Sequence, residues 1–219
     1  MSGRREDFRD CYESSWGRHK DRTRPTPGNH DYETAGASGY FDYFGGAAGE
    51  RGQGYYTYAV GPWRIYALNS EIDMSPGSPQ LLWLRSQLAA NPSSCSAAIW
   101  HRPLFTSGPN GENPDTRPLW RLLYEFNVDV ILNGHDHLYE RFAPMDPEGR
   151  LDFLRGIRQF TAGGGGAPLY QAFGRAMNSE MLASVWGVLK LTLSEGFYSW
   201  EHVSAGSTEF QDAGTALCH

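Results

Sequence analysis

Nothing in this 219-residue chain approaches the roughly 20 consecutive apolar residues of a membrane-spanning helix, so no membrane partner is expected. Basic charge is also scarce. Nineteen Lys and Arg stand against 25 Asp and Glu, for a formal net charge of -6. There is no long Lys/Arg run, which argues against an extended phosphate-backbone groove and excludes nucleic acid as the expected partner. Cysteine is sparse, with only Cys11, Cys95 and Cys218 present. An odd count excludes a fully paired intramolecular framework, and no spacing matches a zinc knuckle or a redox C-x-x-C. One disulfide with a free thiol and no disulfide at all both stay open. The segment Met1 to Asp7 is polar and charged and lacks the apolar core of a secretory leader.

The content that is present is globular. The chain is 40% hydrophobic and 14% aromatic, too aromatic for disorder, and its length fits one domain, residues 1–219. The 26 glycines and 13 prolines favour a loop-rich protein, and loops carry most chemistry.

Apolar periodicity gives the element order. Residues 33–54 read as an irregular excursion whose Tyr40, Phe41, Tyr43 and Phe44 pack the loop. Residues 55–60 and 63–68 read as strands around a Gly61-Pro62 turn. Pro79 opens a helix to about Ala90, with Leu81, Leu84 and Leu88 on one face. Residues 97–100 form a short apolar strand of the buried type. A second helix follows from Pro118 to about Phe126, then a strand over 128–132. Strands are also expected over 157–161, 185–193 and 197–203. Strand and helix alternating in this way predict an α/β fold.

Four of the seven histidines fall in three compact blocks: Gly28-Asn29-His30-Asp31, Trp100-His101-Arg102-Pro103 and Gly134-His135-Asp136-His137. The second and third blocks directly follow buried-type strands, and ligands of open α/β sheets bind beyond the carboxyl ends of strands. Imidazole is a common ligand of transition metals, and an Asn carbonyl is a suitable neutral oxygen beside it. The residue pattern alone therefore supports a candidate metal site at Asn29, His101, His135 and His137.

In this order, and followed by Tyr139-Glu140-Arg141, the blocks resemble the calcineurin-like metallophosphoesterases, in particular their purple acid phosphatase branch. The resemblance covers roughly Tyr12 to the C-terminus. It implies a β-sandwich flanked by helices around a dinuclear centre of iron, zinc or manganese. It implies that Asn29, His101 and His135 ligate one metal and His137 the other. His30 would be the catalytic residue that meets the phosphoryl oxygens and serves the leaving group. The implied reaction is hydrolysis of a phosphate monoester by a metal-bound hydroxide. The implied partner is a small phosphorylated substrate; a phosphodiester is the alternative. Members of the family are usually exported.

One departure from the family pattern is plain. Its two earlier blocks, Asp-x-His or Asp-x-Gly and then Gly-Asp-x-x-Tyr, have no counterpart among the 27 residues before Gly28. The bridging carboxylate and the strands that carry it are therefore missing, and a first strand–helix–strand unit with them. N-terminal truncation is the favoured explanation. A short variant with a single metal, or a non-catalytic fragment, is the alternative; Asp7, Asp10 and Asp31 are the nearby carboxylates. Asp31 and Asp136 read as loop caps or as partners that orient a histidine. Arg102 and Arg141 read as ion-pair or solvent residues rather than phosphate contacts. Residues Gly163 to Gly166 form a turn beside the site. His19 reads as a surface residue, His202 as structural or exposed, and His219 as mobile. A Cys11–Cys218 bridge would mark an exported protein.

Overall fold

The computed structural model describes residues 2–206 and 210–219. Before the first strand the chain runs through short helical turns. These include α1 (Arg5–Asp7), which continues as a wide turn over Phe8–Tyr12, and α2 (Ser38–Phe44). Residues 33–54 are thus partly helical rather than irregular. Aromatic packing orders them: Phe8, Tyr40, Phe41 and Phe44 are buried together, with Tyr12 and Tyr43 against them.

Among the described residues ten strands follow: β1 (Tyr56–Val60), β2 (Trp63–Ala67), β3 (Ser96–Ile99), β4 (Val130–Asn133), β5 (Tyr139–Phe142), β6 (Arg158–Ala162), β7 (Ser179–Ala183), β8 (Gly187–Ser194), β9 (Phe197–Ser204) and β10 (Ala213–Leu217). Seven form one sheet in the order β1-β2-β3-β4-β6-β5-β7, and β10-β9-β8 form a second. The centre of the large sheet, β2-β3-β4-β6, is parallel. Its crossovers are α3 (Pro79–Ala90) between β2 and β3 and α4 (Arg117–Glu125) between β3 and β4. Ser78 caps α3 by accepting the Leu81 N–H at 3.4 Å, with Pro79 in the first turn.

The physical reason for two layers of core lies in the short central strands. Ala97, Val130 and Phe160 face Tyr198 and Trp200 of the small sheet, whereas Ala98 and Ile131 face Leu84, Leu119 and Leu123 of the helices. A strand buried on both faces has no reason to alternate, which is why these segments read as unbroken apolar runs. The expected α/β arrangement of sheets and flanking helices is what forms. Strands β5, β7 and β10 were not foreseen, because their partly exposed or polar residues (Ser179–Ala183, for example) carry little apolar pattern.

Of the alternatives left open for the cysteines, one disulfide with a free thiol is what forms, and its partners are not Cys11 and Cys218. Cys95, ahead of β3, bonds Cys218, beyond β10, across a Cα–Cα distance of 5.4 Å, and Cys11 is free and exposed. Cys11 lies in the N-terminal turns, whereas β10 returns the chain end to the base of β3. His219 is likewise not loose: its backbone N–H donates to Asp129 at 2.9 Å and its ring lies 3.1 Å from the same carboxylate. Among the described residues, no helix is long and apolar enough to cross a membrane.

Candidate metal centre

The parallel strands β3 and β4 deliver two of the three blocks to one end of the sheet. Pairing continues past the strand ends. Trp100 N donates to Leu132 O at 3.1 Å, Gly134 N donates to His101 O at 3.0 Å, and the Asn133 side-chain amide donates to Trp100 O at 2.9 Å. His101 and His135 are therefore held as neighbours by backbone geometry, with ring centroids 4.9 Å apart. His135 Nδ1 lies 3.1 Å from His101 Nε2. His135 has φ +68, a left-handed conformation uncommon outside glycine, and so stores backbone strain.

The first block closes onto this pair. A tight turn forms as Asp31 N donates to Gly28 O at 3.0 Å, and the Asp31 carboxylate accepts the Gly28 N–H at 2.8 Å. Asp31 is thus a loop cap, as its sequence reading suggests. A Cβ at Gly28 would stand 2.9 Å from three atoms of the His101 ring, so only glycine lets this backbone lie on the imidazole. The turn brings Asn29 Oδ1 to 2.7 Å from His101 Nε2.

Burial dominates the electrostatics. It pushes the His101 imidazole down to about 3, aided by His135 and by the Arg102 charge. Burial, then Arg102, lowers His135 as well. Both rings are consequently neutral near pH 7 and offer lone pairs, the state a metal ligand requires.

Two further candidates stand apart from this trio. His137 Nδ1 lies 2.8 Å from Pro168 O, and its ring stacks on Tyr170 at 4.1 Å. His30 is largely exposed, with Nδ1 2.6 Å from a Glu33 carboxylate oxygen. His30 and His137 do share a cleft of about 570 Å³ with Phe8, Tyr12, Tyr40 and Pro168. Among the described residues, no group of three His, Cys, Asp or Glu side chains is arranged to hold a metal. The trio of Asn29, His101 and His135 therefore has two ring nitrogens and an amide oxygen but no carboxylate.

The surroundings show which partners engage the neighbouring residues, some of them, Thr106, Ser107 and Asp212, not singled out in the sequence. Asp136 is fully buried and accepts the Thr106 hydroxyl at 2.6 Å and the Asn110 N–H at 3.3 Å. Glu140 accepts the Ser107 N–H at 2.8 Å. Tyr139 and Arg141 reach the other way, to Asp212 of the segment before β10, at 2.6 and 2.8 Å. The Tyr-Glu-Arg run thus laces loop and sheets together. Gly163 N donates to Leu138 O at 2.9 Å, which sets the glycine turn beside the histidine loop. His202 is buried against Tyr139 and Phe210. A second cleft of about 760 Å³ opens at His135 and is also lined by Glu71, Arg102 and Asn110.

A family model for calcineurin-like phosphoesterases matches residues 5–139, which include all three histidine blocks. The chain belongs to the calcineurin-like phosphoesterases. Its relatives include a probable purple acid phosphatase 20 of Arabidopsis thaliana, 33% identical over 97 residues, covering 41% of this chain and 23% of the relative. A probable inactive purple acid phosphatase 9 of the same plant is also 33% identical over 97 residues, covering 41% of this chain and 15% of the relative. The match therefore spans less than a quarter of either relative's length. Among solved structures, a purple acid phosphatase from yellow lupin (Lupinus luteus) seeds superposes with TM-score 0.78 at 20% identity, over 97% of this chain and 48% of that one. That likeness shows the shared fold.

Proposed function

We propose that this calcineurin-like phosphoesterase chain forms a single domain that hydrolyses phosphate monoesters around one transition-metal ion held by Asn29, His101 and His135. The observation that carries the reading is the convergence of Asn29 Oδ1, His101 Nε2 and His135 Nδ1, with separations of 2.7 and 3.1 Å, from three separate blocks. With both rings neutral, one proton on His101 Nε2 serves the 2.7 Å contact to Asn29 Oδ1 and the 3.1 Å contact to His135 Nδ1, and a cation at this point would take that proton's place. The donor set suits iron, zinc or manganese. Such an ion supplies charge to a phosphoryl oxygen and lowers the pKa of water.

The chain's own residues do the rest. Burial keeps His101 and His135 unprotonated. The Gly28 turn and the Asp31 cap fix the Asn29 amide. His30, exposed beside the cleft and partnered by Glu33, holds a proton for the leaving oxygen. His137 lines the same cleft and would hold a second cation only with carboxylates that the trio lacks.

The missing carboxylate favours a second reading, a metal-binding segment without turnover. Calorimetric titration with Zn²⁺ and Mn²⁺, paired with an aryl phosphate monoester and the matching diester as substrates, separates the two. We expect metal binding, faster turnover of the monoester, and loss of both binding and turnover in His101→Ala and His135→Ala. Binding without turnover supports the second reading, and unaltered binding in both variants overturns the site itself.

A further inference from the structure

The two arginines that flank the histidine blocks are equally charged in sequence, but the fold treats them differently. Arg141 is fully engaged: Nε and Nη2 donate to Asp212 at 2.8 and 2.9 Å, and Nη1 donates to Glu180. Arg102 is tethered at one end only. Its Nε donates to both oxygens of Glu71, at 2.9 and 3.0 Å, and its backbone N–H donates to the Ser70 hydroxyl at 3.1 Å. Among the described residues, no hydrogen bond engages its two terminal nitrogens. The Arg102 side chain is 31% exposed and lines the 760 Å³ cleft beside His135, whereas the Glu71 side chain is only 8% exposed.

The tether is itself supported. Glu71 N donates to Asn69 Oδ1 at 3.0 Å, and the fully buried Asn69 is fixed by Gln80, whose Oε1 accepts the Asn69 N–H at 2.8 Å. A guanidinium held through Nε keeps its outer edge, with two parallel N–H vectors, free for a planar pair of oxygens. Glu71 spends no part of that edge.

We infer that Arg102 is a substrate-binding residue that clamps two phosphate oxygens of the ester at the mouth of this cleft, and that Glu71 is the positioning residue that aims it. The inference deepens the proposed phosphoesterase reading by naming the group that captures the anion on a chain of net charge -6. It also gives Glu71 a role opposite to its charge: a carboxylate near the site that aids binding of an anion.

Calorimetry with inorganic phosphate on the metal-free chain tests this without any turnover. Arg102→Gln should weaken phosphate binding at least tenfold, with Arg102→Lys intermediate, while the melting temperature reports that each variant is folded. Glu71→Gln is the sharper variant. If Glu71 aims the guanidinium, phosphate binds more weakly although a negative charge has been removed; if Glu71 only neutralises Arg102, phosphate binds more tightly and the positioning role is overturned. Wild-type affinity in Arg102→Gln overturns the clamp. In the hydrolysis assay Arg102→Gln should raise KM more than it lowers kcat. A wild-type chain that binds phosphate through Arg102 but hydrolyses nothing would sink the phosphoesterase reading and leave the clamp standing.

Discussion

The Thr106 hydroxyl donates to the buried Asp136 carboxylate at 2.6 Å, and this bond joins the loop after β3 to the loop after β4. Asp136 sits between His135 and His137, and its other oxygen accepts the Asn110 N–H at 3.3 Å. Gly108 passes so close that a Cβ there would stand 2.1 Å from the carboxyl carbon. The strained turn at His135 is therefore held by a carboxylate anchored from outside its own loop. Thr106→Val keeps the side-chain shape and removes the donor. Stability should fall by about 2 kcal/mol, the scale of a hydrogen bond to a charged group. Zn²⁺ affinity should fall about tenfold, as when a partner that orients a ligand is lost. Urea unfolding and metal titration check the pair, and wild-type values in both would show that the anchor is idle.

Gly28 predicts a more local effect. Gly28→Ala places a methyl 2.9 Å from the His101 ring, so either the ring or the Asn29 turn must move. Metal affinity and turnover should drop at least tenfold. A variant with wild-type metal affinity would mean that the turn can yield without disturbing Asn29.

The Cys95–Cys218 bridge spans 123 residues and ties the last strand to the base of β3. Closing so long a loop restricts the unfolded chain, and removing such bridges typically costs about 2–4 kcal/mol. Cys218→Ser, or reduction, should lower the unfolding midpoint accordingly, and Cys11→Ser should not. Non-reducing peptide mapping should find Cys95 joined to Cys218; a linkage to Cys11 would contradict the fold. The bond also fits folding in an oxidising compartment.

Acid should weaken the fold through the histidines. His101 titrates at about 3 when folded against 6.5 when unfolded, so the unfolded chain takes up the proton first. Its contribution is intact above pH 6.5 and is lost as the pH falls toward 3. Burial lowers His135 and His202 in the same direction. The metal-free chain should therefore lose resistance to urea between pH 6.5 and pH 4. In His101→Gln that slope should be shallower, and an identical slope would assign acid sensitivity elsewhere.

Much of this was legible in the sequence. The short runs at 97–100 and 128–132 became central parallel strands, because residues buried on both faces leave a mark without knowledge of their neighbours. The second and third histidine blocks were legible because they directly follow short apolar strands, and the first because Gly-Asn-His-Asp is a compact local pattern. Other features have no local trace. The Cys95–Cys218 pairing depends on where β10 returns, and the ordered His219 depends on Asp129, 90 residues away. Arg102 and Arg141 look alike in sequence, and only their distant partners, Glu71 for one and Asp212 and Glu180 for the other, separate a free guanidinium edge from a buried clasp. Sequence by itself picked out the three histidine blocks and the strands that two of them follow. Tertiary structure decided which lone pairs and N–H groups are left free, because that depends on contacts between residues far apart in the chain.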